Sequence, residues 1–283
     1  MPFMTINGRQ LHYLDEGEGF PILFGHSFLW NAHMWKPQIE ALSQHYRCLV
    51  VDLWDHGQSD HLNVERYTMS ELANDYWQFT QALGLEQFAV VGLSVGGMWG
   101  VQLTLDHPEA VSALVIMDTY VGAEPKVTQE TYLGLLAAMR AHKGVSEALA
   151  NIIAPIFFSP KTCVNNPKMV QDFKAHLMAF PADNIPGIAT LGHMIFTRDC
   201  LLARLSEIKQ PTLVVVGADD QPRPPAEAKD MADRLCNGKL EVIQDAGHIS
   251  NLEQVVEVTK LLSSFLEICG LYRRRTMTGH SSP

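Results

Sequence analysis

Cysteine is scarce in this chain of 283 residues, and basic residues are outnumbered. The five cysteines, Cys48, Cys163, Cys200, Cys236 and Cys269, are odd in number and far apart, with no Cys-x-x-Cys pair. A disulfide framework needs paired spacing, so reduced thiols in a reducing compartment are expected. Lys and Arg number 21 against 31 Asp and Glu, a net charge of −10. Binding along a phosphate backbone needs the opposite balance, so no nucleic-acid partner is expected. No apolar run approaches the length of a membrane span. Met1 to Asn7 contains no basic stretch followed by an apolar one. No signal peptide is therefore expected, and the cytoplasm is the expected location. There is no His-Glu-x-x-His, and the histidines lack ligand spacing, so no metal is expected. Gly92 to Gly97 lacks the Lys-Ser/Thr of a phosphate-binding loop and the spacing of Gly-x-Gly-x-x-Gly, so no nucleotide cofactor is expected either.

What is present suits a large core. Hydrophobic residues make up 47% of the chain and charged residues 18%. The length fits one α/β domain with an insertion, or two small domains. The most informative stretch starts at Phe88. The apolar run Phe88 to Val91 reads as a buried strand, enters Gly92-Leu93-Ser94-Val95-Gly96, and leads to a helical pattern from about Met98 to Asp106. Gly-x-Ser-x-Gly between a strand and a helix is the setting of a nucleophile elbow. The turn lifts the Ser94 hydroxyl above the sheet edge and presents backbone N–H groups at a helix N-terminus.

Before this stretch, Phe3 to Ile6, Asn7-Gly8 and Arg9 to Tyr13 read as a hairpin. Short strands are expected at 21–24 and 46–52, and a helix at 35–45. Thr68 or Ser70 caps a helix that stops at Gly84. After the elbow, Val111 to Met117 is another buried strand, ending in Asp118. From about Tyr120 to Ser206 no strand is convincing. Helices are expected at 129–141, 145–153, 167–179 and 199–205, punctuated by Pro155, Pro160, Pro181 and Pro186. Strands at 211–217 and 239–243, a helix at 225–236 and a long helix at 251–268 resume the alternation. Continuous apolar strands alternating with helices imply a mostly parallel sheet covered on both faces, with sites at the strands' carboxyl ends. The organisation expected is a core from 1–119, a helical cap from 120–207, a second part of the core from 208–270, and a frayed tail from 271–283.

With these motifs in order, the chain resembles the α/β-hydrolase superfamily, in the group with a helical cap after the sixth strand. The motifs are Gly25-His26-Ser27-Phe28, Asp52 with Asp55-His56-Gly57-Gln58-Ser59, the Ser94 elbow, Gly217-Ala218-Asp219-Asp220, and Asp245-Ala246-Gly247-His248. The order Ser, Asp, His is the superfamily's. The resemblance implies an eight-stranded, mostly parallel α/β sheet. Among capped relatives it points to carboxylesterases and 3-oxoadipate enol-lactonases.

A serine hydroxyl needs a base within hydrogen-bond reach, and histidine is the usual one. His248 follows Gly247 in a turn between the last strand and the last helix, at the same sheet edge as Ser94. His26 also ends a strand, but in the resembled family it braces the neighbouring loop. His12, His33, His45, His61, His107, His142, His176 and His280 read as surface or loop residues. The orienting acid can be Asp220, Asp219 or Asp118. The family's acid lies three residues past the strand-end glycine, which falls on Asp220. The oxyanion hole is expected from the backbone N–H groups of Val95 and Phe28. Two positions depart from the family. Ser27 stands where glycine is usual, so either the loop differs or its hydroxyl joins the site. Asp55 also replaces a glycine, and aspartate tolerates the left-handed region.

Trp30, Met98, Phe157 and Met194 are the candidate pocket residues. Cationic residues of the cap, such as Arg140, Lys143 and Arg198, are scattered in sequence, so no obligate dianion is signalled. A neutral, modestly hydrophobic ester or lactone is the expected partner, hydrolysed through an acyl-enzyme with no cofactor by a monomer or homodimer. Hydrolysis of a carbon–carbon bond, perhydrolysis, and a low-turnover receptor on the same fold are the alternatives.

Overall fold

The computed structural model describes residues 2–272. Its single sheet has eight strands in the order β1-β2-β4-β3-β5-β6-β7-β8. β1 (Phe3–Ile6) and β2 (Arg9–Glu16) form the hairpin, with Asn7 and Gly8 at φ 50° and 77°. These are the positive angles that a two-residue hairpin turn requires. β2 pairs antiparallel with β4 (Tyr46–Val51). From there the pairing is parallel through β3 (Phe20–Gly25), β5 (Phe88–Leu93), β6 (Val111–Met117), β7 (Thr212–Gly217) and β8 (Gly238–Ile243). Every residue of β5 and of β7 is buried, because helices cover both faces of these strands.

The chain leaves β3 towards β4 on one side, while β5 lies on the other. That reversal opens a crevice at the carboxyl ends, where ligands bind in open α/β sheets. The register aligns the ends: Gly25 is beside Gly92, Leu93 beside Met117, and Gly217 beside Ile243. The loops that carry Phe28, Ser94, Asp118, Asp220 and His248 therefore leave the sheet at one edge.

The flanking helices are α1 (Lys36–Leu42), α2 (Met69–Ala82) and α3 (Val95–Asp106). Of the two candidate caps it is Thr68 that caps α2, in a capping box with a reciprocal bond to Glu71. Between β6 and β7 all regular structure is helical: α4 (Lys126–His142), α5 (Glu147–Ile153), α6 (Pro160–Asn165), α7 (Pro167–Met178) and α8 (Ile185–Phe196). α9 (Pro225–Arg234), α10 (Ser250–Glu253) and α11 (Val255–Ile268) are the last helices among the described residues. Among the described residues no helix is long and apolar enough to cross a membrane.

Several elements differ from the sequence reading. Pro160 and Pro186 do not break helices but begin them: each sits in a first turn, where a missing N–H has no partner to lose. The 199–205 stretch is not an α-helix; a 3-10 turn runs over Leu202–Glu207 instead. The long terminal helix is interrupted at Gln254, at φ −125° and ψ 58°. The break lies beside Glu253, whose carboxylate turns into the loop before α10 to accept the Gly247 N–H at 2.7 Å. Of the tail expected to fray, 273–283 lie outside the described residues.

α8 is seated against the core through glycine. A Cβ on Gly187 would collide with the Asp55 carboxylate. That carboxylate cannot move aside freely, since it accepts the Leu62 N–H at 2.8 Å and lies 2.9 Å from His61 Nδ1. Gly134, in α4, has open space around its Cβ position. Gly187→Ala is expected to destabilise the protein by about 1–3 kcal/mol through overpacking. Gly134→Ala should stabilise it by about 0.5–1 kcal/mol through helix propensity. Denaturant unfolding of both variants checks this; shifts of the same sign would contradict it.

Candidate active site

Ser94 sits between β5 and α3 at φ 57° and ψ −121°, a conformation that few non-glycine residues occupy. α3 begins at Val95, three residues earlier than the hydrophobic pattern indicates. The crowding explains the glycines around it. A Cβ on Gly92 would meet the Gly96 backbone, and one on Gly96 would meet the Gly25 backbone. The strained turn is tied on both sides: the Ser94 N–H donates to Met117 O at 2.9 Å, and Thr119 Oγ1 donates to Ser94 O at 2.7 Å.

His248 and Asp220 join Ser94 in one line. His248 Nε2 lies 2.9 Å from Ser94 Oγ, and Nδ1 lies 3.0 Å and 3.2 Å from the two Asp220 oxygens. All three residues are buried. The Arg223 N–H donates to Asp220 Oδ1 at 3.0 Å, which orients the carboxylate. The other two acids are placed elsewhere. Asp219 is exposed. Asp118 is fully buried, and its oxygens accept the Gly217 N–H at 2.8 Å and the Ser250 hydroxyl at 2.6 Å. Burial, reinforced by the nearby Asp220 charge, pushes the Asp118 carboxyl well above the usual carboxylate range. It fastens β7 and α10 to the end of β6.

Glu253 is a supporting residue without a readable role in sequence. One carboxylate oxygen accepts the Gly247 N–H, and the other accepts the Ser159 N–H at 2.9 Å and hydroxyl at 2.7 Å. It ties the histidine loop to the helical insertion.

Two neutral histidines hold the loop after β3. Leu53 N–H donates to His26 Nε2 at 2.9 Å, so Nδ1 carries the proton and donates to Ser27 O at 2.8 Å. Leu29 N–H donates to His56 Nε2 at 3.1 Å, and Nδ1 donates to Trp54 O at 2.8 Å. Both rings of His26 and His56 are spent on backbone groups. The left-handed residue of this loop is Leu29, at φ 66°, and not Ser27. The strain expected at the missing glycine therefore falls two residues later. The Ser27 hydroxyl is buried on the cavity wall with no hydrogen-bond partner among the described residues. Asp55 does adopt the left-handed region, at φ 59°. His12, read as a surface residue, is fully buried with Nδ1 2.6 Å from Asp52 Oδ2.

The N–H groups of Phe28 and Val95 make no hydrogen bond among the described residues. Val95 is the first residue of α3, so its N–H has no intrahelical acceptor. A cavity of about 80 Å³ lies against Ser94 and His248. Phe28, Met98 and Phe157 line it, with Leu136, Met139 and Ile195 on its apolar side. The Phe157 ring stands edge-on to His248, 5.6 Å between centroids. Two expected pocket residues are elsewhere. Trp30 stacks on Phe173, 4.2 Å between centroids, and lines a separate groove. Met194 lines a pocket that shares Met98 and Arg198 with the cavity but contains neither Ser94 nor His248. Hydrophobic content cannot tell the two sides of a packed helix apart. Arg198 and Arg223, from different parts of the chain, meet Glu124 on the cavity wall, a cluster that their separation in sequence conceals. Among the described residues no group of His, Cys, Asp and Glu could hold a metal ion.

The alpha/beta hydrolase fold family matches residues 21–255 of the chain. The chain belongs to that family. A putative carbamate hydrolase, RutD, of Caulobacter vibrioides is 29% identical over 266 residues, covering 93% of this chain and 92% of its own. 3-oxoadipate enol-lactonase 1 of Acinetobacter baylyi is 27% identical, covering 87% and 88%. A thermophilic esterase from Thermogutta terrifontis superposes with a TM-score of 0.86 at 26% identity, covering 95% of this chain and 98% of that one.

Two buried histidines are expected to make this α/β-hydrolase sensitive to acid. Burial, and then the nearness of His26, pull His56 from 6.5 down to about 3, and burial lowers His26 as well. An unfolded histidine takes up its proton near pH 6.5, whereas the folded His56 resists until about 3. The stabilisation is complete above pH 6.5 and is lost as pH falls towards 3. Tm is therefore expected to fall between pH 7 and pH 4.5. His56→Asn should be less stable at pH 7 and show a shallower decline, read by thermal unfolding across that range.

Proposed function

We propose that this protein is a serine hydrolase of small carboxylic esters or lactones, acting through an acyl-enzyme. The observation that carries the reading is the continuous line from Ser94 Oγ through His248 to Asp220, at 2.9 Å and 3.0 Å. Ser94 Oγ attacks the substrate carbonyl while His248 Nε2 takes its proton. Asp220 accepts the Nδ1–H, holds the ring in that tautomer, and stabilises the imidazolium that forms. The free N–H groups of Phe28 and Val95 receive the developing oxyanion. His248 then returns the proton to the departing alcohol oxygen. A water, deprotonated by the same nitrogen, attacks the acyl-Ser94 ester and releases the acid. In a lactone the alcohol and the acid are parts of one molecule.

The small cavity supports a short acyl or lactone substrate, well below the size of drug-sized pockets of about 300–1,000 Å³. An enol-lactone and a carbamate, the compounds in the names of two relatives, present the same kind of carbonyl to Ser94.

Ser94→Ala is expected to lower kcat on p-nitrophenyl butyrate by about 10³-fold or more. Retained turnover in purified protein would remove the central claim. Asp220→Asn should lower kcat by about 10³–10⁴-fold, because the amide favours the wrong histidine tautomer. Asp118→Asn should cost much less in kcat; the opposite ranking would reassign the acid.

A further inference from the structure

Met98 lies where the catalytic cavity meets a second, larger space. It is on α3, one turn after Ser94, and its N–H donates to Ser94 O at 3.1 Å. The cavity of about 80 Å³ beside Ser94 and His248 touches Met98 and Arg198. A neighbouring chamber of about 170 Å³ touches the same two side chains but neither Ser94 nor His248. Its inner end is apolar, with Met98, Val121 and Met194 all buried. At its other end Thr68, Ser70 and Thr197 are exposed, so the chamber opens to the surface there.

The walls of the catalytic cavity differ in how readily they give way. Phe157 is set among rings, with centroids 5.6 Å from His248, 4.9 Å from Phe173 and 6.3 Å from Trp30. Phe28 belongs to the loop that His26 and His56 brace. Arg198 is pinned, since Nη1 donates to Glu124 Oε2 at 2.9 Å and to Ile195 O at 2.8 Å. Met98 presents an unbranched thioether chain with three rotatable bonds, the side chain that adapts most easily to a changing space. A swing of that chain joins the two spaces and leaves the triad and the helical insertion where they are. Size gives a reason for joining them. An apolar cavity of about 150 Å³ holds one benzene-sized molecule. The 80 Å³ beside Ser94 is too little for both halves of an ester of more than a few carbons, whereas the 170 Å³ behind Met98 has room for one further group of that size.

We infer that Met98 is a gate, and that the chamber behind it receives an unbranched chain of about six carbons carried by one half of the substrate. The other half is short and stays against Ser94. The chain passes Met98, lies along Val121 and Met194, and ends near the hydroxyls at the surface. It is unbranched because the passage is no wider than one displaced thioether side chain. The inference rests on the proposed hydrolase reading for the reacting ester, but not for binding of the chain.

Matched esters, followed in a pH-stat, test this on both halves. Methyl octanoate is compared with methyl butanoate, and hexyl acetate with ethyl acetate. At least a tenfold advantage in kcat/KM for the longer member of one pair is expected. Met194→Trp, which fills the chamber, should lower that long-to-short ratio at least tenfold. Met98→Ala, which removes the gate, should raise it and extend it to a branched chain. Independently of turnover, protein labelled with methyl-¹³C methionine is titrated with 2-octanone and with 2-butanone. The two signals are assigned from Met98→Leu and Met194→Leu. 2-Octanone should shift both, and 2-butanone that of Met98 alone. An unmoved Met194 signal, or hydrolysis with ratios near one in both pairs, would overturn the gate and leave the hydrolase reading intact. A shifted Met194 signal with none of the four esters hydrolysed would sink the hydrolase reading and keep the chamber.

Discussion

The structure depends on one close approach of backbones. Where β3 ends and α3 begins, Gly25, Gly92 and Gly96 pack with no room for a side chain between them. Close packing of β3, β5 and the first turn of α3 is what keeps Ser94 at its positive φ. It also brings the end of β3, from which the loop of Phe28 leaves, against the N-terminus of α3. The strain is local, and two polar ties, to Met117 O and from Thr119 Oγ1, keep it from relaxing.

Around that contact the protein spends its buried polar groups on holding loops. His26 and His56 each donate to one carbonyl and accept one N–H, and so brace the turn at Leu29. Asp118 fastens the end of β7 to α10. The helical insertion is tied to the same loops: Asn184 donates to Asp55 O at 2.9 Å, His176 Nε2 meets Leu29 O at 3.1 Å, and Ser159 binds Glu253. These ties lie beside the Phe28 loop and the histidine loop. The roof of the cavity and the groups beneath it are therefore parts of one hydrogen-bonded frame, which is how a cavity this small can hold a defined shape.

Much of this was legible. The parallel strands announce themselves as continuous apolar runs, because a strand buried on both faces has no reason to alternate. Ser94, Asp220 and His248 stand just beyond three such runs, and strand ends at one edge of a sheet are brought together by topology alone. The insertion was harder. α8 was hidden because Pro186, Gly187 and Gly192 look like breaks, yet Pro186 fits the first turn and the glycines admit Asp55, Leu136 and Phe28. Trp30 and Met194 have the right chemistry for a pocket wall but face other cavities.

The sequence by itself determined the strand-and-helix alternation, the elbow and the strand-end positions of its possible partners. Those properties are written in local periodicity and in glycine placement, which the chain carries before it folds. Only the tertiary structure decided which acid meets His248, which loop residue takes the positive φ, and that Glu124, Arg198 and Arg223 share a wall with Ser94. Each of these depends on distances between segments far apart in sequence, and packing, not local preference, sets such distances. The charge of the cavity is of this kind: three loops bring it together, and no single stretch of the chain displays it.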